Sequence, residues 1–238
     1  MNTVVKTVNY LRSHGLTHRQ FRSCLSEFEG EYGDIPYYCD VRWLSKCKVL
    51  RRFFQLRESI VQFLKNKNKP EPRLEDPSWV ADLAFLTDLV SHLNDLNLSM
   101  QGEKHLISEL VEKIEAFKRK LALWKSQLSV QNTAHFPTLA SVRESANFED
   151  YEVVIDDVSK EFSSRFQDLE KLSVELTIFT RPFNVDIEDV PEEYQSNLID
   201  LQTRVRFKDE VFLSKTSLTF TVIFPKKTFR NFTAWLRK

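Results

Sequence analysis

Glycine is scarce in this chain of 238 residues, where it occurs only at Gly15, Gly30, Gly33 and Gly102. A phosphate-binding loop and a dinucleotide-binding fingerprint each need several closely spaced glycines, so the sequence excludes nucleotide enzymes built on those motifs. Scarce glycine combined with long apolar periodicity indicates a mainly helical chain with few tight hairpins.

Cysteine and histidine are too few and too scattered to form the usual sites. The three cysteines, Cys24, Cys39 and Cys47, include no Cys-x-x-Cys pair and cannot all pair with one another. They predict ordinary thiols in a reducing compartment. The five histidines lack the spacings that bring zinc ligands together. We therefore predict no metal, no cofactor and no small-molecule substrate.

Long apolar runs are also missing. No stretch approaches the roughly 20 residues of a membrane-spanning helix, and the N-terminus has no apolar core of the kind found in signal peptides. The Gly-x-Ser-x-Gly elbow of many hydrolases is absent too. Apolar residues make up 42% and charged residues 29% of the chain, near the average for globular proteins. We expect a soluble, intracellular protein without membrane association.

The charges are unevenly distributed, although 34 basic residues balance 34 acidic ones. Residues 41–73 contain ten Lys or Arg against two acids, and residues 204–238 contain nine against two. Residues 144–201 contain four basic residues against sixteen acids. A basic segment can bind a polyanion, whereas an acidic segment can cover a basic partner or the chain's own basic face.

Apolar residues recur at helical spacing near the N-terminus. The spacing predicts an opening helix that is stopped by Gly15 and a second helix that starts at the capping box Thr17–Gln20. It also predicts one continuous amphipathic helix from Leu44 to about Lys65.

The clearest helical pattern follows. Asp76 is a typical N-cap, and Pro77 is a typical first helical residue. Apolar side chains then return every three or four residues from Trp79 to Leu96, and again from Leu106 to Leu128 after a break at Gly102. Two long helices joined by so short a connection are expected to pack antiparallel.

Shorter segments complete the pattern. Ile35 to Val41 is rich in aromatic and β-branched residues and predicts a strand or an extended segment. Asn147 to Phe179 predicts a further helix, and Pro191 to Leu201 predicts a short one. Leu218 to Phe224 fits either a strand or a buried helix, because periodicity does not separate the two.

One block of residues is more specific. The run from Tyr37 to Lys46, Tyr-Tyr-Cys-Asp-Val-Arg-Trp-Leu-Ser-Lys, resembles the Arg-Trp signature of hAT-family transposases. The resemblance continues through Trp79 to Gln101, His135 to Pro137, Arg181 to Phe183 and Pro191 to Glu193. The same blocks are similar to those of the general transcription factor II-I repeat-domain-containing, BED-finger and SCAN-domain proteins that derive from such elements.

The resemblance implies a mainly α fold of long antiparallel helices, the helical insertion of a transposase, with small remnants of a ribonuclease-H-like fold. It assigns residues 1–45 to that remnant and residues 46–203 to the helical insertion. Residues 204–238 then form a basic segment that stops before the catalytic and dimerisation region. The family's catalytic aspartates, Cys-x-x-His motif and catalytic glutamate have no matching positions here. A two-metal nuclease needs converging carboxylates, so we predict no catalytic residues and no enzyme activity.

The resemblance also selects candidate nucleic-acid-binding residues. Arg42 and Trp43 match the family's Arg-Trp pair, which lies near the active site and whose tryptophan is implicated in holding an unpaired base. Stacking of a base on an indole is worth ~1 to 3 kcal/mol. The alternative is that Trp43 anchors the corner between strand and helix in the core. Neighbouring basic residues extend the candidate set to Lys46, Lys48, Arg51 and Arg52.

These basic residues are expected to flank a common helix face while Leu50, Phe53 and Phe54 turn inward. Such a face attracts DNA phosphates without reading bases. Its simpler alternative is a solvated face, or one that the acidic residues 144–201 neutralise.

The sequence therefore predicts a non-catalytic, transposase-derived protein with residual, non-specific DNA binding. The family resemblance adds a nuclear location, with the cytoplasm as the alternative. A second reading is a protein-interaction scaffold that uses its helical faces and does not bind nucleic acid. A third is a catalytic fragment that another subunit completes. Phosphate contacts weaken steeply with salt and apolar contacts do not, so salt dependence separates the first two readings.

Overall fold

The computed structural model describes residues 1–13, 15–27, 35–36, 43–101, 107–171, 173–180 and 182–203. Within these residues the chain is mainly helical and contains no β-strand, which confirms the predicted helical class. The α-helices are α1 Asn2–Ser13, α2 Gly15–Glu27, α3 Trp43–Gln55, α4 Arg57–Asn66, α5 Pro77–Met100, α6 Ile107–Ser129, α7 Pro137–Ala140, α8 Phe148–Lys171, α9 Ser173–Thr180 and α10 Glu192–Thr203. Short 3-10 turns lie at Pro72–Glu75, Arg143–Ser145 and Ile187–Asp189.

Helix α2 begins at Gly15, two residues before the predicted capping box. The Nε of Arg19 donates a hydrogen bond to the carbonyl of Gly15 at 3.2 Å, so the glycine belongs to the first turn. The predicted start at Thr17 is therefore wrong. Glycine is well tolerated at the beginning of a helix, and α1 ends at Ser13, close to the stop predicted at Gly15.

The continuous helix predicted from Leu44 to Lys65 is also wrong, because α3 and α4 are separated at Leu56. Leu56 has φ −92° and ψ 5°, outside the α-helical region, although its N–H still donates to the carbonyl of Arg52 at 3.0 Å. Its side chain is only 2% exposed and packs in the same core as those of Phe53 and Ile60. The separation of α3 and α4 thus coincides with the burial of Leu56 in the core. The sequence contains neither proline nor glycine at this position to indicate it.

The chain divides into two compact units, and the first comprises Met1–Glu103 and Lys113–Phe162. One core of this unit joins α1 to α4 with one face of α5. Leu11, Phe21 and Phe53 are almost completely buried there. The rings of Phe21 and Phe63 meet edge to face, with their centroids 5.2 Å apart, and so pack α2 against α4.

A second core in the same unit joins another face of α5 to α6, α7 and α8. The ring of Phe85 stacks on that of Tyr151, with centroids 4.3 Å apart, and on that of Phe136, at 5.5 Å. Leu121 and Leu139 are fully buried beside them. Helix α5 is therefore apolar on more than one side, as expected for a helix inside a bundle.

The two long helices α5 and α6 pack antiparallel, as the sequence predicts. The imidazole of His92 stacks on the indole of Trp124, with centroids 4.2 Å apart, and Lys113 donates to the carbonyl of Ser99. Residues later in α5 thus contact residues earlier in α6, as expected for antiparallel helices.

The start of α5 also agrees with the sequence. Asp76 accepts a hydrogen bond from the backbone N–H of Ser78 at 3.1 Å, and Pro77 is the first helical residue. The predicted N-cap is confirmed.

The second unit comprises Lys104–Glu112 and Ser163–Lys238. Its core contains Ile178, Val190, Tyr194, Leu198 and Leu201. Helix α10 starts at Glu192, directly after Pro191, which confirms the predicted short helix. Near its C-terminus, the amide of Gln202 donates to the carbonyls of Pro182 and Val185 at 2.7 and 2.9 Å.

Other predicted elements coincide only in part with the described residues. The helix predicted from Asn147 to Phe179 is found as α8 and α9, and Leu172 between them lies outside the described residues. Of the predicted segment Ile35–Val41, only Ile35 and Pro36 are described. The segment Leu218–Phe224 lies wholly outside the described residues.

Truncation of the second core tests this packing. Leu121 is 0% exposed, so Leu121→Ala is expected to lower the free energy of unfolding by ~2 to 5 kcal/mol. Leu123 lies on the same helix but is 48% exposed, and Leu123→Ala should change stability by no more than ~0.5 kcal/mol. Urea denaturation of both variants measures the difference. Equal stability of the two would contradict the assigned core face.

Candidate nucleic-acid interface

Helix α3 presents basic side chains on the face opposite its core contacts. Leu50 and Phe53 are buried on its inner side. Lys48 and Arg51 are exposed, and Arg52 is half-buried. Side chains three and four positions apart lie on the same side of a helix, so these three cations form one surface, here named the α3 basic face.

Lys46 does not belong to this face. It precedes Leu50 and Phe53 by four and seven residues, which places it on the inward side of α3. Its side chain is half-buried. The common face expected for all four cations therefore contains only Lys48, Arg51 and Arg52. Phe54 is half-buried and packs against both cores of the first unit, in agreement with its predicted inward position.

Arg42 lies outside the described residues, and α3 begins at Trp43, whose side chain also lies outside them. The predicted roles of this Arg-Trp pair stay predictions.

The guanidinium of Arg51 is held against α5. Its Nη2 donates to the hydroxyl of Ser91 at 3.2 Å, and Ser91 in turn donates to the carbonyl of Thr87 at 2.8 Å. Arg51 also lines a groove of about 500 Å³, together with Asp88 and Asp95. These two carboxylates make the groove interior unfavourable for an anion.

Neutral groups accept hydrogen bonds from the two arginines of the α3 basic face. Nη1 of Arg52 donates to the side-chain carbonyl of Gln55 at 3.1 Å. Among the described ion pairs, none involves Lys48 or Arg51. Their charges are therefore available to an anionic partner.

The acidic segment has local partners of its own. Asp156 on α8 forms ion pairs with Lys125 on α6 and with Lys160. Hydrogen bonds from these two ammonium groups lower the pKa of Asp156 to about 2. In the described contacts, Asp156 is thus neutralised by α6 and α8 and not by α3.

Asp88 is a buried carboxylate that the sequence reasoning missed. It is 5% exposed, and its Oδ2 accepts a hydrogen bond from the backbone N–H of Leu139 at 3.0 Å. It thereby caps the first turn of α7, whose first residue is Pro137. Burial raises the pKa of Asp88, and the hydrogen bonds from Thr138 and Leu139 oppose that rise. Pro137 is a sequence signal for a helix start, but Asp88 lies 51 positions before Leu139, whose N–H it caps, and leaves no local pattern.

Other polar side chains are also in structural contacts. The Nε2 of His92 lies 2.8 Å from the carbonyl of His135. The hydroxyl of Tyr151 donates to Asp82 at 2.9 Å, and burial together with this carboxylate raises the tyrosine pKa. Among the described residues, no three His, Cys, Asp or Glu side chains are grouped to hold a metal ion. The described helices include none that is both long and apolar enough to span a membrane.

These features define a mainly helical domain with a basic helix face. The model of the FAM200/GTF2IRD2 helical domain matches residues 1–129, more than half of the chain, and the chain belongs to this family. The predicted resemblance to general transcription factor II-I repeat-domain-containing proteins is thereby confirmed.

Two relatives illustrate this similarity. The chain is 41% identical over 209 residues to the bovine (Bos taurus) general transcription factor II-I repeat domain-containing protein 2, and 41% identical over 203 residues to its mouse (Mus musculus) counterpart. The alignments cover 87% and 85% of this chain but only 22% of each relative. The chain thus spans about a fifth of the length of these relatives. No solved structure matches it.

The buried cap by Asp88 is testable. Asp88→Ala removes the acceptor for the N–H of Leu139, and an unsatisfied buried donor costs ~1 to 3 kcal/mol, so the free energy of unfolding should fall by that amount. Asp88→Asn retains a side-chain oxygen and should lose less. Urea denaturation at neutral pH measures both variants. Equal losses would show that the capping oxygen is unimportant.

The same residue predicts a pH dependence. Because burial raises the pKa of Asp88, its carboxyl group binds a proton more tightly in the folded protein than in the unfolded chain, where an aspartate has a pKa of about 3.9. The free energy of unfolding of the wild type, relative to that of Asp88→Asn, should therefore be greatest below the pKa of the unfolded state. This relative stability should fall as the pH rises through the pKa of Asp88 in the folded state. A difference that does not change over this pH range would contradict the assigned environment.

Proposed function

We propose that this chain is a non-catalytic, transposase-derived helical module that binds DNA phosphates in the nucleus without reading sequence. Its family membership supports the derivation, and the names of its relatives, which describe general transcription factor repeat-domain proteins, support the nuclear location. The observation that carries the DNA part is the α3 basic face, where Lys48, Arg51 and Arg52 share one surface of a helix.

The chemistry of this face fits a phosphate backbone. Lys48 supplies a compact ammonium charge, and the two arginines supply planar forks that can bind two phosphate oxygens at once. Lys48 and Arg52 are four residues apart, so their Cα atoms are separated by ~6 Å along the helix axis. Side chains of this length reach neighbouring phosphates and carry no information about base sequence.

The size of the face sets the expected strength of binding. Three cations neutralise at most about three phosphates, so the α3 basic face contributes about −2 to −3 to the slope of log affinity against log salt. Binding of this kind is non-specific, with a Kd of roughly 10⁻⁴ to 10⁻⁶ M at physiological salt. The protein would therefore occupy DNA weakly and depend on other contacts for any selectivity.

The finer division of the chain belongs to the same proposal. The assignment of residues 1–45 to a ribonuclease-H-like remnant, 46–203 to a helical insertion and 204–238 to a basic segment follows from the transposase resemblance. In the first unit, α1 and α2 pack in the same core as α3 and α4. A remnant at the N-terminus would thus be integrated with the helical part.

A protein-interaction scaffold is the second candidate function, and α8 carries the observation that favours it. Val153 and Val154 are 60% and 41% exposed on this helix. Exposed Glu149, Asp150 and Asp157 surround them along the sequence. Apolar side chains within an acidic surface suit a basic protein partner better than DNA.

Substitution on α3 tests the DNA proposal. Arg51→Gln with Arg52→Gln should weaken binding to a short fluorescein-labelled duplex and reduce the salt slope by about two, because each lost phosphate contact removes about 0.9 from it. Fluorescence anisotropy at several salt concentrations measures both effects.

The matched control is Arg119→Gln with Lys120→Gln on α6, which removes the same charge from two other exposed positions. These substitutions should change the salt slope of DNA binding much less than Arg51→Gln with Arg52→Gln does. Binding that is undetectable at low salt would favour the scaffold, and binding that ignores both pairs of substitutions would show that the α3 basic face does not contact DNA.

The non-catalytic part is tested separately. The purified chain should neither nick nor join DNA in the presence of Mg²⁺ or Mn²⁺, because the family's catalytic carboxylates have no matching positions in this sequence. Gel assays with supercoiled plasmid measure nicking. Metal-dependent cleavage that remains with the protein through repeated purification would refute the proposal.

A further inference from the structure

Helices α1 and α2 carry positive but almost no negative charge. Residues 1–26 contain Lys6, Arg12, Arg19 and Arg22, and the first acidic residue of the chain is Glu27. The described surface of these two helices therefore provides no carboxylate before position 27 that could neutralise a neighbouring cation.

The turn after α4 brings further cations to these helices. The N–H of Lys69 donates to the carbonyl of Leu64 at 3.0 Å, and the N–H of Asn68 donates to that of Lys65 at 3.0 Å. Asn68 has φ 53°, so the bonds and the backbone together form a Schellman motif with asparagine in the left-handed position. The motif reverses the chain at the C-terminus of α4, between two lysines that contact different helices.

Neutral groups on α1 and α2 hold the basic side chains of this turn. The ammonium of Lys67 donates to the side-chain carbonyl of Gln20 on α2. The ammonium of Lys69 lies 4.5 Å from the ring centroid of Tyr10 on α1. Cation–π contacts and hydrogen bonds to neutral acceptors orient these charges without cancelling them.

Arg73 extends the same arrangement to the start of α1. Its Nη1 donates to the hydroxyl of Thr3 at 3.4 Å. Lys6 is exposed on α1 and lies three residues after Thr3 and four before Tyr10, which places it on the same helix face, between these two contacts. None of the described ion pairs involves Lys6, Lys67, Lys69 or Arg73.

We propose that Lys6, Lys67, Lys69 and Arg73 form a second phosphate-binding surface, here named the α1 basic ridge, which contacts the backbone of a nucleic acid. The inference shares its class of partner with the proposed function but rests on different residues. The acids nearest in sequence are Glu71, which is half-buried, and Glu75, which pairs with Lys65. The ridge itself keeps an excess of positive charge.

The spacing of the cations in the α1 basic ridge fits an extended anion. Thr3 and Tyr10, which hold Arg73 and Lys69, are seven residues apart and so separated by roughly 10 Å along α1. A single phosphate or a carboxylate is too small to contact both cations. A chain of phosphates can contact both of them and Lys6 between them, which is the property that distinguishes a polyanion from a small ligand.

The test measures DNA affinity of the full chain as a function of salt. Lys67→Gln, Lys69→Gln and Arg73→Gln together should lower the salt slope by about two to three and reduce affinity at low salt by roughly tenfold or more. Fluorescence anisotropy with the labelled duplex, from roughly 50 to 200 mM salt, gives both values. The charge-conserving variant with Lys67→Arg, Lys69→Arg and Arg73→Lys should retain the slope, and circular dichroism verifies that both variants fold.

A second set of variants separates local contacts from net charge. Lys118→Gln, Arg119→Gln and Lys120→Gln on α6 remove the same three charges and should leave most of the affinity intact. An equal loss in this variant would overturn the α1 basic ridge, because net charge alone would then explain the result. Loss of affinity in the charge-conserving variant would overturn it as well.

The remaining outcomes distinguish the two proposals. If the ridge variant loses slope while Arg51→Gln with Arg52→Gln does not, the α1 basic ridge stands and the α3 basic face fails. The converse result overturns the ridge and leaves α3. If the wild type ignores DNA but binds phosphatidylserine vesicles through Lys67, Lys69 and Arg73, the ridge recognises a membrane surface and the inference is wrong.

Discussion

Helix α5 must bury two faces at once, and the first unit is arranged around that requirement. Leu83 and Val90 pack with α1 to α4, while Phe85 and Leu89 pack with α6, α7 and α8. Two separate apolar cores therefore share one rigid element. A helix buried in this way cannot rotate without exposing apolar surface on one side, at about 25 cal/mol per Å², so its orientation fixes the elements on both sides.

The polar contacts of α5 strengthen the same arrangement. Asp88 is buried on this helix and satisfies the free N–H of Leu139 in α7, while Ser91 accepts a hydrogen bond from Arg51 in α3. The contact of Asp88 holds α7, which lies between α6 and α8 in the chain. The contact of Ser91 orients Arg51 of the α3 basic face. Packing on α5 thus determines both how the second core closes and which charges remain at the surface.

The positive charges of this protein are divided between contacts that neutralise them and contacts that only orient them. Lys65 and Lys125 pair with Glu75 and Asp156. Lys69 and Arg73 instead contact a ring and a hydroxyl. A cation oriented by a neutral group loses side-chain freedom but keeps its charge, so part of the entropic cost of binding an anion is met in advance. For this reason the two basic surfaces are better candidates for phosphate binding than the number of basic residues alone indicates.

The sequence by itself determined the local features. Periodicity identified the helical class, and the dipeptide Asp76-Pro77 identified the start of α5, because capping and amphipathic spacing depend on residues only a few positions apart. It also separated the inward Leu50 and Phe53 from the exposed Arg51.

Only the tertiary structure decided the kink at Leu56, the cap that Asp88 places on α7 and the partners of Lys67 and Arg73. These last three contacts join residues 51, 47 and 70 positions apart. A linear pattern shows which face of a helix is apolar, but it does not specify which other helix covers that face. Contacts over such distances follow from how the helices pack around α5.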